Sequence, residues 1–284
     1  MTRAIEPRIL FPLLAVSLLA VIWGSTFGIL RVKHIAAEHA ASVSSREILD
    51  TYEAQVVRAL REINQTLNLV KYLHEHGAGS QLSELRDKGL LPPDLLFVVS
   101  IADRDGTIVD STRPAADQNV AAQDFFRTQR DSDTFFIGQL RRAAPADAKL
   151  QFSRRLNAVD GAFDGTVIVA VEVAYFVSGY DPSTLGEHGV LGLVGTDGVF
   201  RVRRTGDVTF SGDAIDYASV VPGPAAVETD PTVSTSSWDG VRRYTSAREL
   251  YGFPLAVIVG LSADERSTAA QSDRRASFWW AALV

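Results

Sequence analysis

Apolar positions recur along this chain with three different spacings, and each spacing predicts a different element. From Ile9 to Leu30 they are almost unbroken: 22 residues without one ionisable side chain. A helix of about 20 apolar residues crosses a bilayer core, so the run predicts a transmembrane helix over 9–30. From His34 to His76 there is neither Pro nor Gly, and the spacing changes. Leu49, Tyr52, Val56, Leu60, Ile63, Leu67 and Val70 follow one another in steps of three and four, which is one face of a helix. A stalk helix over 33–80 is expected, roughly 60 Å long at 1.5 Å per residue, ended by Gly77-Ala-Gly79.

After Leu90-Leu91-Pro92-Pro93 the spacing shortens to that of strands. Leu96–Ile101 and Thr107–Asp110 flank Asp103-Arg-Asp-Gly106, and Asp-Gly between two such runs is a hairpin signal. A short helix is expected over Ala121–Thr128. Leu150–Leu156 and Gly165–Val173 read as strands joined across Asp160-Gly161 and Asp164-Gly165, and Tyr175-Phe176-Val177 begins a helical turn. The order then recurs: Val190–Val194, a turn at Thr196-Asp197-Gly198, Val199–Val202, then strands at Ser237–Ser246 and Phe253–Gly260. Residues 216–237, with three prolines, read as an irregular surface linker. Two small antiparallel sheets with flanking helices explain this order better than one layer of strands alternating with long helices. The fold class is therefore α+β.

The far end repeats the theme of the beginning. Ala276–Val284 contains Phe278, Trp279 and Trp280 and reads as the start of a second crossing. A cleaved signal peptide is the rival for the first segment, with Arg3 and Arg8 as its basic flank and alanines near 35–41 as a cleavage region; the length of the run favours an uncleaved anchor. The expected plan is a cytoplasmic N-terminus (1–8), an anchor (9–30), the stalk helix (33–80), a membrane-distal module (81–180), a membrane-proximal module (181–270) and the second crossing (276–284). Gly24 and Gly28 have the spacing that lets helix backbones approach, which modestly supports a homodimer alongside contact with the lipid bilayer.

Charge and composition then remove functions. The chain has 46% apolar residues and a net charge of -6; residues 32–275 alone carry 25 Lys/Arg against 33 Asp/Glu. With no basic tract, nucleic acid is not expected as a partner. There is no cysteine, so disulfides and thiol chemistry are excluded. Among five histidines none forms H-E-x-x-H, and His74 and His76, two apart on a helix, do not share a face. No nucleophile elbow, Walker loop or dinucleotide fingerprint occurs, and turn formation accounts for the aspartates beside glycines. Neither enzyme activity, nor a cofactor, nor a metal site is expected.

The ordered set Ser100-Ile-Ala-Asp-Arg-Asp-Gly106, Asp124-Phe-Phe126, Phe135-Phe-Ile-Gly138, Phe152-Ser-Arg-Arg-Leu156, Asp160-Gly-Ala-Phe-Asp-Gly165, Tyr175-Phe176, Gly195-Thr-Asp-Gly198 and Phe253–Leu261 resembles the double-Cache (PDC-type) extracytoplasmic sensor domain of bacterial membrane receptors. The resemblance spans about 33–270 and is closest to the kind attached to diguanylate cyclases or sensor histidine kinases. It implies two Cache/PAS-like modules after the long helix, and a ligand pocket in the distal module at about 94–175. Asp124, Phe126, Arg127, Phe135, Arg154 and Glu172 are the residues expected to line it. Phe126 and Phe135 offer an aromatic wall, although core filling explains them equally well. Arg154 and Arg155 are adjacent on a strand and face opposite ways, so one of the two turns inward. Glu172 interrupts an apolar run, where a carboxylate needs solvent or a partner; it stands where amine-recognising members of the family carry an aspartate. Amino-acid-binding members resemble R-x-W-Y around the short helix. Gln123-Asp-Phe-Phe126 lacks that Arg and Trp, so a short organic acid held by Arg127 or Arg154 is expected in preference to an α-amino acid.

The resemblance implies signal input: a ligand state passed along the long helix to a cytoplasmic output domain outside this sequence, with the sensor region in the periplasm or outside the cell and the anchor in the bacterial inner membrane. A periplasmic binding or carrier module released by signal-peptide cleavage is the alternative from another class, and an envelope structural protein is a third.

Overall fold

The computed structural model describes residues 7–77, 81–92, 97–114, 118–140, 148–180, 182–223 and 233–265. Helix α1 runs without interruption from Pro7 to Glu75, so the predicted stalk is the continuation of the helix that contains the apolar run. The seven residues of the predicted stripe are all buried, none more than 2% exposed. Most side chains of 9–30, and all of 276–284, lie outside the described residues. Among the described residues no helix is long and apolar enough to cross a membrane.

Helix α2 (Leu82–Asp87) leads into the first sheet. Its strands are β1 (Phe97–Asp103), β2 (Ile108–Ser111), β3 (Phe136–Ile137), β4 (Lys149–Asn157) and β5 (Phe163–Glu172), with helix α3 (Asp124–Asp131) between β2 and β3. The spatial order is β2-β1-β5-β4-β3, and every pairing is antiparallel. Alternation on the central strand divides the sheet. Val167, Val169 and Val171 join Phe97, Val99, Leu150 and Phe152 in the core against α1. Ile168 joins Ala102, Phe125 and Phe126 in a second cluster beneath α3. Asp164-Gly165 is not the predicted turn, because it lies inside β5. Gly165 has φ 141°, and a Cβ there would sit 2.1 Å from the Ala102 carbonyl oxygen. Glycine at this position serves close strand approach.

The second sheet follows a 3-10 turn (Val173–Phe176) and helix α4 (Pro182–Leu185). It contains β6 (Val190–Gly195), β7 (Phe200–Thr205), β8 (Val208–Phe210), β9 (Val233–Thr235), β10 (Arg242–Glu249) and β11 (Leu255–Ser262), with helix α5 (Tyr217–Val220) between β8 and β9. The order is β8-β7-β6-β11-β10-β9. Leu191, Leu193, Val202, Val257 and Val259 enter the same core as the α1 stripe, so one helix buries its apolar face against both sheets. Ser45 on α1 meets Ser246 on β10 at 2.8 Å. The opposite face of the sheet holds Phe200, Val194 and Ile258 beneath Ile215, Tyr217 and Trp238. The expected continuous strand Ser237–Ser246 is instead a turn followed by β10, since Gly240 adopts φ 72°. The expected linker supplies α5 and β9, whose Tyr217 and Val220 pack on that face. This is an α+β fold with an N-terminal helix and two sheet-plus-helix modules.

Among the described residues three side-chain contacts join the two modules, two of them through Arg204 and Gln139, which carried no sequence motif. Arg204 is buried and donates to the carbonyls of Val177 at 2.8 Å and Tyr180 at 2.9 Å, which clamps the connector between the sheets onto β7. The Phe135 ring meets Phe253 of the β10–β11 turn edge-on, with centroids 5.8 Å apart. Gln139 donates to Asp197, whose carboxylate also receives two hydrogen bonds from Arg201.

Candidate ligand-binding face

The six expected site residues do not converge on one point. Asp124 and Arg127 are exposed on the outer side of α3 and pair with each other at 2.6 Å. Phe126, one residue before Arg127, is fully buried beneath α3 and meets Phe163 edge-on. Phe135 stacks on Phe152 on the α1 side of the sheet. Arg154 is on that side too, in register with Val167; its Nε donates to Asn64 on α1 at 3.1 Å, and its guanidinium lies over Phe135. Arg155 faces α3 instead. It donates to the Gln129 and Arg130 carbonyls and lies over the Phe163 ring. Glu172 alternates with the valines of β5 and so shares the α3 side of the sheet.

That side is built from rows of registered residues. Ala102, Thr166 and Arg155 form one row, and Ser100, Ile168 and Ser153 the next. Both lie under or beside α3, held there by Gln129, whose buried amide nitrogen donates to the Ser153 and Thr134 carbonyls. Gln129 Oε1 and Thr166 Oγ1 are buried without a hydrogen-bond partner among the described residues. Beyond α3 the face opens. Val98, Ala170 and Gln151 form a half-buried row, followed by Glu172 directly opposite Lys149. Opposed residues in an antiparallel pair have Cβ atoms roughly 5 Å apart. Among the described residues neither Glu172 nor Lys149 has an ion-pair partner. The open half thus presents one anionic, one cationic and one amide group over a short apolar floor. Gln129, Gln151 and Lys149 carried no motif; only strand alternation from Glu172, combined with the register, singles them out.

Asp103 and Asp160 accept from backbone N–H groups of their own turns, as expected, whereas Asp164, inside β5, does different work. Asp164 accepts from Arg104 at 2.8 Å and meets His74 Nε2 at 3.1 Å, tying the end of α1 to the first sheet. The hydrogen bonds from Arg104 and His74 hold its carboxyl below the usual range, against a smaller effect of burial. A depressed folded-state pKa stabilises the protein above the unfolded pKa, and this is lost as pH falls through the folded value. Asp164→Asn is therefore expected to flatten the acid limb of a stability–pH curve below about pH 4. An unchanged acid limb in urea titrations would show that the contact contributes nothing. His76 stacks on Tyr72 instead of facing His74, and among the described residues no group of three or more His, Asp or Glu is placed to hold a metal.

No family model matches the sequence, and no curated protein matches it. Solved structures do. The extracellular domain of the putative histidine kinase rpHK1S-Z16 is 19% identical, with TM-score 0.58, and the match covers 77% of this chain and 93% of that one. The ligand-binding domain of the Pseudomonas fluorescens chemoreceptor CtaA in complex with L-serine is 13% identical with TM-score 0.51, covering 80% and 99%. That of the Pseudomonas aeruginosa PAO1 amino acid chemoreceptor PctB in complex with L-Gln is 16% identical with TM-score 0.50, covering 82% and 96%. At these identities the likeness is one of fold. It corrects the expectation of a short organic acid in preference to an α-amino acid, because the ligands held in these two structures are α-amino acids. That expectation rested on Gln123–Phe126, and the geometry shows why the segment was a poor guide: Asp124 points to solvent while Phe125 and Phe126 fill the core.

Proposed function

We propose that this chain is the extracytoplasmic ligand-sensing input of a membrane-anchored signalling receptor, held in the membrane by 9–30. Its ligand binds on the open half of the α3 side of the first sheet, and the ligand class is an α-amino acid. The observation that carries this reading is the Glu172–Lys149 opposition beside Gln151. A zwitterion carries an ammonium and a carboxylate a few ångströms apart, and these two side chains offer the complementary charges at similar spacing. Charge-assisted hydrogen bonds of this kind are roughly twice as strong as neutral ones. Val98 and Ala170 supply floor for a side chain.

In this reading the output is a cyclase or kinase domain on the other side of the membrane. Bound ligand changes the output only by its differential affinity for two arrangements of the protein. Helix α1 is the route, since it packs on both sheets and continues into the apolar run.

The test is isothermal titration of the full chain in lipid nanodiscs with each of the twenty L-amino acids. At least one is expected to bind, with Glu172→Gln and Lys149→Met each weakening it tenfold or more, about 1.4 kcal/mol. Absence of binding by all twenty, or binding indifferent to both substitutions, would sink the reading.

A further inference from the structure

The connector between the modules, from the 3-10 turn to Tyr180, runs alongside α1 at the waist of the molecule. A cavity of about 270 Å³ lies between them. Its buried floor is Val56 and Ala59 of α1 with Phe176 of the turn. Half-buried Tyr175 lines it too, and exposed Gln55, Arg58 and Ser178 form its rim. This is on the α1 side of the first sheet, away from Glu172 and Lys149.

The lining has a distinct chemistry. Among the described residues it contains one cation, Arg58, and no carboxylate. Arg58 has no hydrogen-bond or ion-pair partner among the described residues. Gln55 adds donors, and so does Tyr175: burial, with the charge of Glu62 adding to it, pushes its phenol up, so the proton stays on at neutral pH. The Ser178 hydroxyl donates to the Tyr175 carbonyl and shapes the rim. Glu62 is one turn along α1 from Arg58 and outside the lining. Small-molecule sites combine an apolar floor with a few placed polar groups, and the volume suits a body about the size of one aromatic ring. We propose that this groove is a second small-molecule site, which takes an amphipathic anion: a flat apolar body with a sulfonate- or phosphate-type head on Arg58.

The groove's position gives such binding a consequence. One wall is the connector, which Arg204 fastens to β7 and whose Tyr180 hydroxyl reaches the Ile48 carbonyl of α1. A molecule seated there touches both the helix common to the two sheets and the strap joining them. It would act on the modules' relative packing without entering the face of the first sheet.

The test is nuclear magnetic resonance of the isotope-labelled full chain in nanodiscs, titrated separately with p-toluenesulfonate, p-cresol and benzyltrimethylammonium. The sulfonate is expected to shift the amide signals of Ala59, Ser178 and Gly179 at concentrations at least tenfold lower than the neutral or cationic probe. Arg58→Gln should abolish that preference, and Ser178→Trp should block the groove; both positions are exposed, so the fold is retained. Glu172→Gln should leave the response unchanged, which separates this site from the amino-acid site. Equal shifts by all three probes, no shifts at these amides, or full affinity in Arg58→Gln would each overturn the proposal.

Discussion

Arg243→Ala is expected to destabilise the second module by about 3–5 kcal/mol, the cost of removing one partner from a buried ion pair. Arg243 is fully buried on β10. It donates through Nη1 and Nη2 to both oxygens of Asp239 at 2.7 and 2.8 Å, through Nε to the His188 carbonyl at 2.7 Å, and to Ser236 at 3.0 Å. The side chain also lies across Gly260, where a Cβ would come within 2.8 Å of its Cδ. Burial pushes the Asp239 carboxyl up, but hydrogen bonds and charge from Arg243 outweigh it and hold the group below its usual range. Asp239 keeps some exposure and a second arginine, Arg203, at 3.8 Å, which places the loss toward the lower end. Arg243→Lys should recover little, because an ammonium cannot reproduce the planar fork. The paired change Arg243→Met with Asp239→Leu should recover most of the loss, since an apolar pair leaves no charge buried alone. Equilibrium denaturation of the four proteins checks this, and a single-variant cost below about 1 kcal/mol would show that the pair does not hold the sheet.

Phe126→Ala is expected to cost about 3–5 kcal/mol, as for other buried aromatic truncations. Asp124→Ala and Arg127→Ala, its neighbours on the same short helix, are expected to stay within about 0.5 kcal/mol. The contrast follows from orientation: Phe126 is fully buried against Ile168 and Phe163, whereas the other two pair on the exposed side of α3. If Phe126 served chiefly as a ligand wall, its truncation would weaken amino-acid binding while leaving the denaturation midpoint in place. A midpoint shift that tracks the other core positions, with comparable binding in whatever fraction stays folded, is the expected result.

These cases show where the sequence is sufficient. The stripe from Leu49 to Val70 faces inward along its whole length because helical periodicity is local, set by 3.6 residues per turn whatever the partner. The recurrence of short strands around Asp-Gly pairs exposed two modules for the same reason. The edge strands β3 and β8, two and three residues long, are too short to leave a period. Asp164-Gly165 read as a turn because strand interior and turn can both call for a glycine at positive φ; the nearby Ala102 carbonyl that decides between them comes from another strand.

The candidate site divides along the same line. That Arg154 and Arg155 must face opposite ways follows from alternation alone. Which of them meets α1 depends on how β4 registers against β5 and on which face α1 covers, and Asn64 settles it by holding Arg154. Glu172 was visible as a carboxylate interrupting an apolar run, but Lys149 across from it and Gln151 beside it acquire meaning only through strand pairing. The sequence by itself therefore determined the class of each element, the inward face of the long helix, the two-module order, the net acidity and the absence of cysteine chemistry. Only the tertiary structure decided which charged groups are neighbours, that Arg243 and Arg204 are buried clamps, and where the open face lies. The physical reason is range: backbone periodicity is written within a few residues, whereas electrostatic pairing and burial join residues as far apart as Ser45 and Ser246, whose meeting depends on the packing of the whole chain.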